Sequence, residues 1–348
     1  LFFFYTLFSI QAQLFCGIIG SFSSPSRQPL AVFPAADSDN EMRGFAAFEA
    51  GFTLENASTS CLFNSYFPVG GTSTFNNGVL NLNLDLSFTS TANIANAGTI
   101  NGNSYSLQLP HKNGTFTLHG MTINNTRVMC GSDISLNGTL QFGGNCVFDL
   151  QGKKIYCSSG SIVAAAGASL LIKDGIVQGV HNGTLLCADS LATLSLSNVT
   201  IIQDANYSFT QGNLVILDSV VMTGSSRFVY QSSNPCTIAS YSEWYFDSGM
   251  TFSYAPSSNS RDLIVMQDRS SVLSFNTTTL AATTTGLRLT KGTLRVDGTC
   301  QIVSDATVAA QAISLGDGTD ASNDIAVQLL AESGFYVTSG FVVYNNIN

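Results

Sequence analysis

Charge is the scarcest commodity in this sequence: Asp, Glu, Lys and Arg together make up 10% of its 348 residues, against about 25% in ordinary soluble domains. Disorder is not expected, because disordered chains are poor in apolar residues and rich in charge, whereas 45% of this chain is hydrophobic. The 13 Lys and Arg residues form no run longer than Lys153-Lys154, and the net charge is −9. A nucleic-acid partner would need basic stripes to neutralise phosphates, so none is expected. Histidine is equally scarce. His111, His119 and His181 lie far in sequence from any cysteine pair, and no Cys-x-x-Cys occurs. A zinc site is therefore unsupported, and neither a metal nor a cofactor is expected. Eight cysteines do not make a disulfide-dense scaffold. Export would permit bridges, with Cys16–Cys61 and Cys130–Cys157 as candidates, but scattered buried thiols are the main expectation.

Long hydrophobic runs are also missing beyond the first residues. Leu1 to Ile10 is apolar, and Gln11-Ala12-Gln13 follows as a cleavage region. Residues 1–13 thus read as a secretory signal segment, or as an apolar arm retained in the mature protein. Gln11 and Gln13 interrupt the stretch, so a membrane span of about 20 residues is not expected.

What is present is repetition. One short strand recurs with two inward apolar positions: Phe148/Leu150, Leu170/Ile172, Leu194/Leu196, Leu214/Ile216 and Leu294/Val296. The first four copies follow one another about every 22 residues. Two places after each pair stands Gly152, Asp174, Asn198, Asp218 or Gly298, residue types that tolerate left-handed backbone at a tight turn. A second strand, ahead of the first, is marked by Leu140, Ile162, Leu185, Phe228, Ile264, Leu287 and Ile313. A third, behind it, is marked by Ile155, Val177, Ile201, Val221, Trp244 and Ile302. Three short strands per coil, separated by Gly, Ser, Asn and Asp, make a three-sided solenoid. Its coils pair each other's backbone groups.

The fold class expected is thus all-β, a parallel β-helix. The chain resembles the right-handed, pectin-lyase-like parallel β-helix family over about 94–348: Ile100-Asn-Gly-Asn-Ser-Tyr-Ser-Leu107 is similar to its opening coil, and Asp174/Asn198/Asp218 to its turn ladder. The domain expectation is a signal segment or arm over 1–13, a linker and N-terminal cap over 14–72, and the β-helix over 73–348. Insertions are expected near 248–262 and 316–324. Glu41 to Ala50 is expected to form a short capping helix, since an uncovered end is a sticky sheet edge; Gly44 weakens it.

Catalytic members of that family carry clustered carboxylates with Arg or Lys on one outer face. The outward positions Gln141, Val163, Leu186, Val229, Val265, Arg288 and Ser314 hold one charge. Hydrolysis needs two carboxylates a few ångströms apart. The family's Asn-Thr-Asp, Asp-Asp, Gly-His-Gly and Arg-Ile-Lys motifs are missing, Leu118-His119-Gly120 lacks the leading Gly, and Arg288-Leu-Thr-Lys291 has the wrong spacing. No catalytic residue is assigned and the chain is not expected to be an enzyme. Asp204, Asp247 and Asp305 are expected to be solvated turn residues, and Asp317 to Asp324 a polar loop lacking the spacing of a Ca²⁺ loop. Eight Asn-x-Ser/Thr sequons (Asn56, Asn113, Asn124, Asn137, Asn182, Asn198, Asn206, Asn276) fit composition or glycosylation.

The functional expectation is an exported structural or adhesive surface protein, extracellular or at the cell surface, a self-assembling fibre or coat subunit being one form of it. Its partners would be copies of itself, joined through apolar terminal segments such as Phe335-Tyr-Val and Phe341-Val-Val-Tyr344, or a glycan or host-surface ligand. The alternatives are a non-catalytic glycan-binding module using Tyr241, Trp244, Tyr245 and Tyr254, and, less favoured, a polysaccharide lyase or hydrolase built from Arg261, Asp262, Asp268 and Arg269.

Overall fold

Inward apolar residues two apart, each pair followed by a turn former, dictate short strands that bend, and short strands that bend repeatedly wind into coils. A computed structural model shows this outcome. It describes residues 31–33, 41–44, 51–65, 68–258, 260–282, 285–304, 312–319 and 325–345. Among them every regular element is a strand, every registered pairing is parallel, and strands stack as a β-solenoid with about 22-residue spacing. Two compact units divide the chain, residues 1–155 and 156–348.

In the first unit, three stacks of strands can be followed by register. Ala31–Phe33 pairs with Phe52–Leu54, which continues to Thr72–Thr74 and Asn93–Ala95. Leu80, Ile100, Ile123 and Phe142 are stacked in the second, and Leu86, Leu107, Val128 and Phe148 in the third. All eight side chains in the last two columns are buried. Beside the second column runs a polar one: Asn124 Nδ2 donates to Asn101 Oδ1 (2.9 Å), Asn101 Nδ2 to Asn81 Oδ1 (2.8 Å), and Asn81 Nδ2 to Ser60 Oγ (3.0 Å). Each amide thereby satisfies the next, one coil away.

In the second unit the three faces are equally regular. Tyr207, Phe228, Phe252, Leu280 and Ile302 line one. Leu170, Leu194, Leu214, Cys236 and Ile264 line another, and Leu287, Ile313 and Val342 form a further run of stacked strands. The third holds Val177, Ile201, Met222, Phe246, Phe275, Val296 and Leu329. Aromatic rings fill the interior: Phe228 stacks on Phe252 (centroids 5.9 Å, 11°), and Trp244 lies 4.9 Å from Phe246 and 5.4 Å from Phe228. The turn formers behave as their chemistry predicts. Gly152, Asp174, Asn198, Asp218 and Gly298 all hold positive φ, at 76°, 57°, 51°, 53° and 74°.

Several expectations need correction. Leu294 pairs with Leu273, which pairs with Trp244, so Leu294/Val296 belongs to the third face and not to the column of Leu214/Ile216. Ile302 belongs with Phe228, and Ile264 with Leu214, so the columns marked from sequence cross from face to face. The insertion expected near 248–262 is only partly one, since Phe228 and Ile264 lie on different faces. Thr251–Tyr254 is an ordinary coil strand paired with Arg227–Tyr230 and Thr279–Ala282, and the loop follows it. Residues 41–44, expected to begin a helix, form a strand paired with Leu62–Ser65. Stacked strands are present from Ala31, within the stretch expected to be linker and cap. The segment 1–13, Cys16, Asp305 and residues 320–324 lie outside the described residues.

Candidate functional site

A concavity lies on the first unit, where the strand Phe116–Asn124 shifts register against Ile134–Gly143 between His119 and Met121. Gly120 sits at the shift, and a Cβ there would lie 2.7 Å from the Thr139 backbone N, so only glycine allows this approach. Opposite, Gly138 holds φ +95°. The two bends open a depression of about 550 Å³ lined by Asn77, Asn96, His119, Thr122, Asn137 and Gln141 among others. A second depression, about 430 Å³, shares His119 and is lined by Asn93, Lys112, Thr115 and Thr117. Among the described residues the lining offers amides, hydroxyls, one imidazole and one ammonium, and no carboxylate. His119 is in register with Asn137, Asn96 Nδ2 donates to Asn76 Oδ1 (2.6 Å), and Lys112 Nζ donates to Asn93 Oδ1 (3.1 Å). Such a groove can hydrogen-bond a neutral polar ligand along its length.

Sequence reasoning named His119 only as a broken motif and did not single out Asn77, Asn96, Lys112 or Asn137 as groove residues. The available signal was glycine breaking a strand at 120, with Asn137-Gly138 one coil later.

The other groups considered from sequence are placed elsewhere. Arg288 grips Asp262 through two bonds of 2.6 Å, and Arg261 Nη2 reaches Ala312 O (3.0 Å) and Ser314 Oγ (2.7 Å). Asp268 accepts bonds from Ser240 and Ser270, which hold its carboxyl below the usual carboxylate range. The Arg269 carbonyl accepts from Thr293 Oγ1. The side chains of Arg261, Asp262 and Asp268 are thus engaged in local ties. Asp204 lies 3.3 Å from His181 Nδ1, and Asp247 accepts from Asn276 Nδ2 and Thr223 Oγ1. Asp317 accepts from the Thr319 N–H. The seven outward positions are not one face, since Val229 neighbours Ser253 while Val265 neighbours Thr237, and Arg288 neighbours Ser314.

Of the four aromatics, Trp244 and Tyr254 are buried, Tyr245 is half-buried and Tyr241 is exposed. Tyr254 is a core residue whose hydroxyl pins the following loop, donating to Ser260 O (2.8 Å) and accepting from the Leu263 N–H (3.1 Å). Cys130, Cys146, Cys157, Cys187, Cys236 and Cys300 are buried free thiols, so the Cys130–Cys157 bridge does not form. Among the described residues no three His, Cys, Asp or Glu side chains are grouped to hold a metal ion, and no helix is long and apolar enough to cross a membrane. No family model, curated protein or solved structure matches the chain.

Proposed function

We propose that this chain is an exported adhesive surface protein that holds a carbohydrate in the His119 groove without cleaving it. The observation that carries the reading is the lining itself, rich in amides and hydroxyls and, among the described residues, without carboxylates. Sugar hydroxyls need both donors and acceptors, which Asn, Gln and Thr supply. Glycoside hydrolysis needs a pair of carboxylates at the scissile bond, which this groove does not offer. Placement in a non-catalytic branch of the pectin-lyase-like β-helices is the finer form of the same proposal, supported by the parallel coils and the Asp174/Asn198/Asp218 turns.

The test is calorimetric titration of unglycosylated chain with a panel of neutral and acidic oligosaccharides, with recovery of the sugar afterwards. Binding that weakens at least tenfold in His119→Ala, with the sugar recovered intact, supports the reading. No binding across the panel, or a cleaved product, overturns it.

One observation favours a second reading, self-assembly. Leu329, Leu330, Tyr336, Val337, Phe341 and Tyr344 are exposed within the coil from Ala326 to Tyr344, while Phe246, Phe275 and Val296, in register with Leu329, are fully buried. A further coil, from this chain or a second copy, would cover them.

A further inference from the structure

The coil geometry sorts the sequons by what each asparagine nitrogen does. N-linked glycosylation replaces one of the two hydrogens on Nδ2 with a sugar, so that nitrogen needs open solvent beside it and is crowded where it is tied to the next coil. Three asparagines are tied in this way. Asn124 Nδ2 donates to Asn101 (2.9 Å), Asn198 Nδ2 to Asp174 (3.2 Å), and Asn276 Nδ2 to Asp247 (3.1 Å). Each bond joins neighbouring coils, and coils stacked about 4.8 Å apart leave no room for a sugar between them. Asn56, Asn182 and Asn206 fall between the classes, with their oxygens accepting the N–H of Ser58, Ser208 and Arg227.

Asn113 and Asn137 are different. Both are exposed, as are Thr115 and Thr139 at the third positions of their sequons. Asn113 lies in the loop between the strands Ser106–Gln108 and Phe116–Asn124. Asn137 lies at the outward bend where Gly138 turns to φ +95°. Neither carboxamide makes a hydrogen bond within the described residues.

We propose that Asn113 and Asn137 are attachment sites for N-linked oligosaccharide, and that the coil structure refuses it at Asn124, Asn198 and Asn276. The donor class is a polyprenyl-diphosphate-linked oligosaccharide. Asparagine Nδ2 attacks C1 of its first sugar, and the C1–N bond forms as the C1–O bond to diphosphate breaks. The diphosphate leaves with the electron pair, and the displaced amide proton passes to a base.

The experiment produces the full chain behind a secretion signal in a eukaryotic host, with a flexible tail carrying one control sequon. Folded protein is selected by protease resistance, and its peptides are mapped by mass spectrometry after enzymatic deglycosylation in heavy-oxygen water. With the control sequon occupied, the expected result is label at Asn113 and Asn137 and none at Asn124, Asn198 or Asn276. Label at any of those three, or its absence from Asn113 or Asn137, overturns the proposal. Because Asn137 lines the groove, saccharide titrations on unglycosylated chain remain separate, and either result can fail without the other.

Discussion

Asn198 donates its Nδ2 to Asp174 Oδ1 at 3.2 Å, and both residues hold left-handed backbone, at φ +51° and +57°. Side chain and backbone therefore act at the same turn. Alanine at 198 would lose the bond and retain the strained conformation, costing about 1–2 kcal/mol. Glycine loses the bond but takes that conformation freely, so Asn198→Gly costs under about 1 kcal/mol. Urea unfolding of the two variants separates the effects, and equal midpoints would show that the backbone conformation contributes nothing.

A comparable coupling ends the asparagine column. Gly143 is in register with Asn124, and a Cβ at 143 would lie 2.1 Å from Asn124 Oδ1. Gly143→Ala must therefore displace Asn124 and break its bond to Asn101, at a cost of about 1–3 kcal/mol. In an Asn124→Ala background the same change should cost less than half as much. A double-mutant cycle reads the difference, and strict additivity would refute the contact.

The single tryptophan reports on the core. Trp244 is 1% exposed, is surrounded by Phe228, Phe246 and Phe252, and its Nε1 has no hydrogen-bond partner. Trp244→Ala opens a cavity costing about 3–5 kcal/mol. Trp244→Phe also removes an unsatisfied donor, and should cost no more than about half of that. In the native chain the fluorescence emission should be blue-shifted and should move red on unfolding; emission already red in buffer would place the indole in water.

These cases show which features were legible in the sequence. Asp174, Asn198 and Asp218 could be read because left-handed turns accept few residue types, so residue identity reports conformation. The face of each strand could not be followed to the end. Leu214/Ile216 and Leu294/Val296 have the same alternation and the same following polar or glycine residue, yet lie on different faces. Which face a strand joins depends on the residues in each turn, and the loop after Tyr254 resets that count. The groove was harder still to see. It arises from a register shift at His119, and its Asn and Thr lining is compositionally indistinguishable from the rest of the surface.

Tyr254 ties a loop to the core through one hydroxyl. Tyr254→Phe keeps the ring stacked on Tyr230 (6.2 Å, 3°) and removes the acceptor of the buried Leu263 N–H and the donor to Ser260 O. The cost is about 1–3 kcal/mol, concentrated in the loop between Tyr254 and Ile264. Limited proteolysis should then cut within that loop at least several-fold faster than in the parent chain, with the coils left intact. Unchanged cleavage would mean that Arg261, held by Ala312 and Ser314, anchors the loop alone.

The buried thiols set the response to alkali. Burial pushes Cys157, Cys187 and Cys300 from an ordinary value near 9 up to about 12, with Asp189 adding to the effect at Cys187. Burial also raises Cys130 and Cys236. Because the thiolate is the nucleophile, iodoacetamide at pH 8.5 should leave these five unmodified in the folded chain and label them in urea. Between pH 9 and about 12 the unfolded chain loses these protons while the folded chain keeps them. The unfolded state then binds fewer protons, and stability must fall as pH rises. The contribution is fully present below about pH 9 and is lost as pH climbs through about 12. An unfolding free energy that stayed level to pH 11 would mean that the thiols are not held away from water. Native labelling at the rate seen in urea would say the same of the individual site.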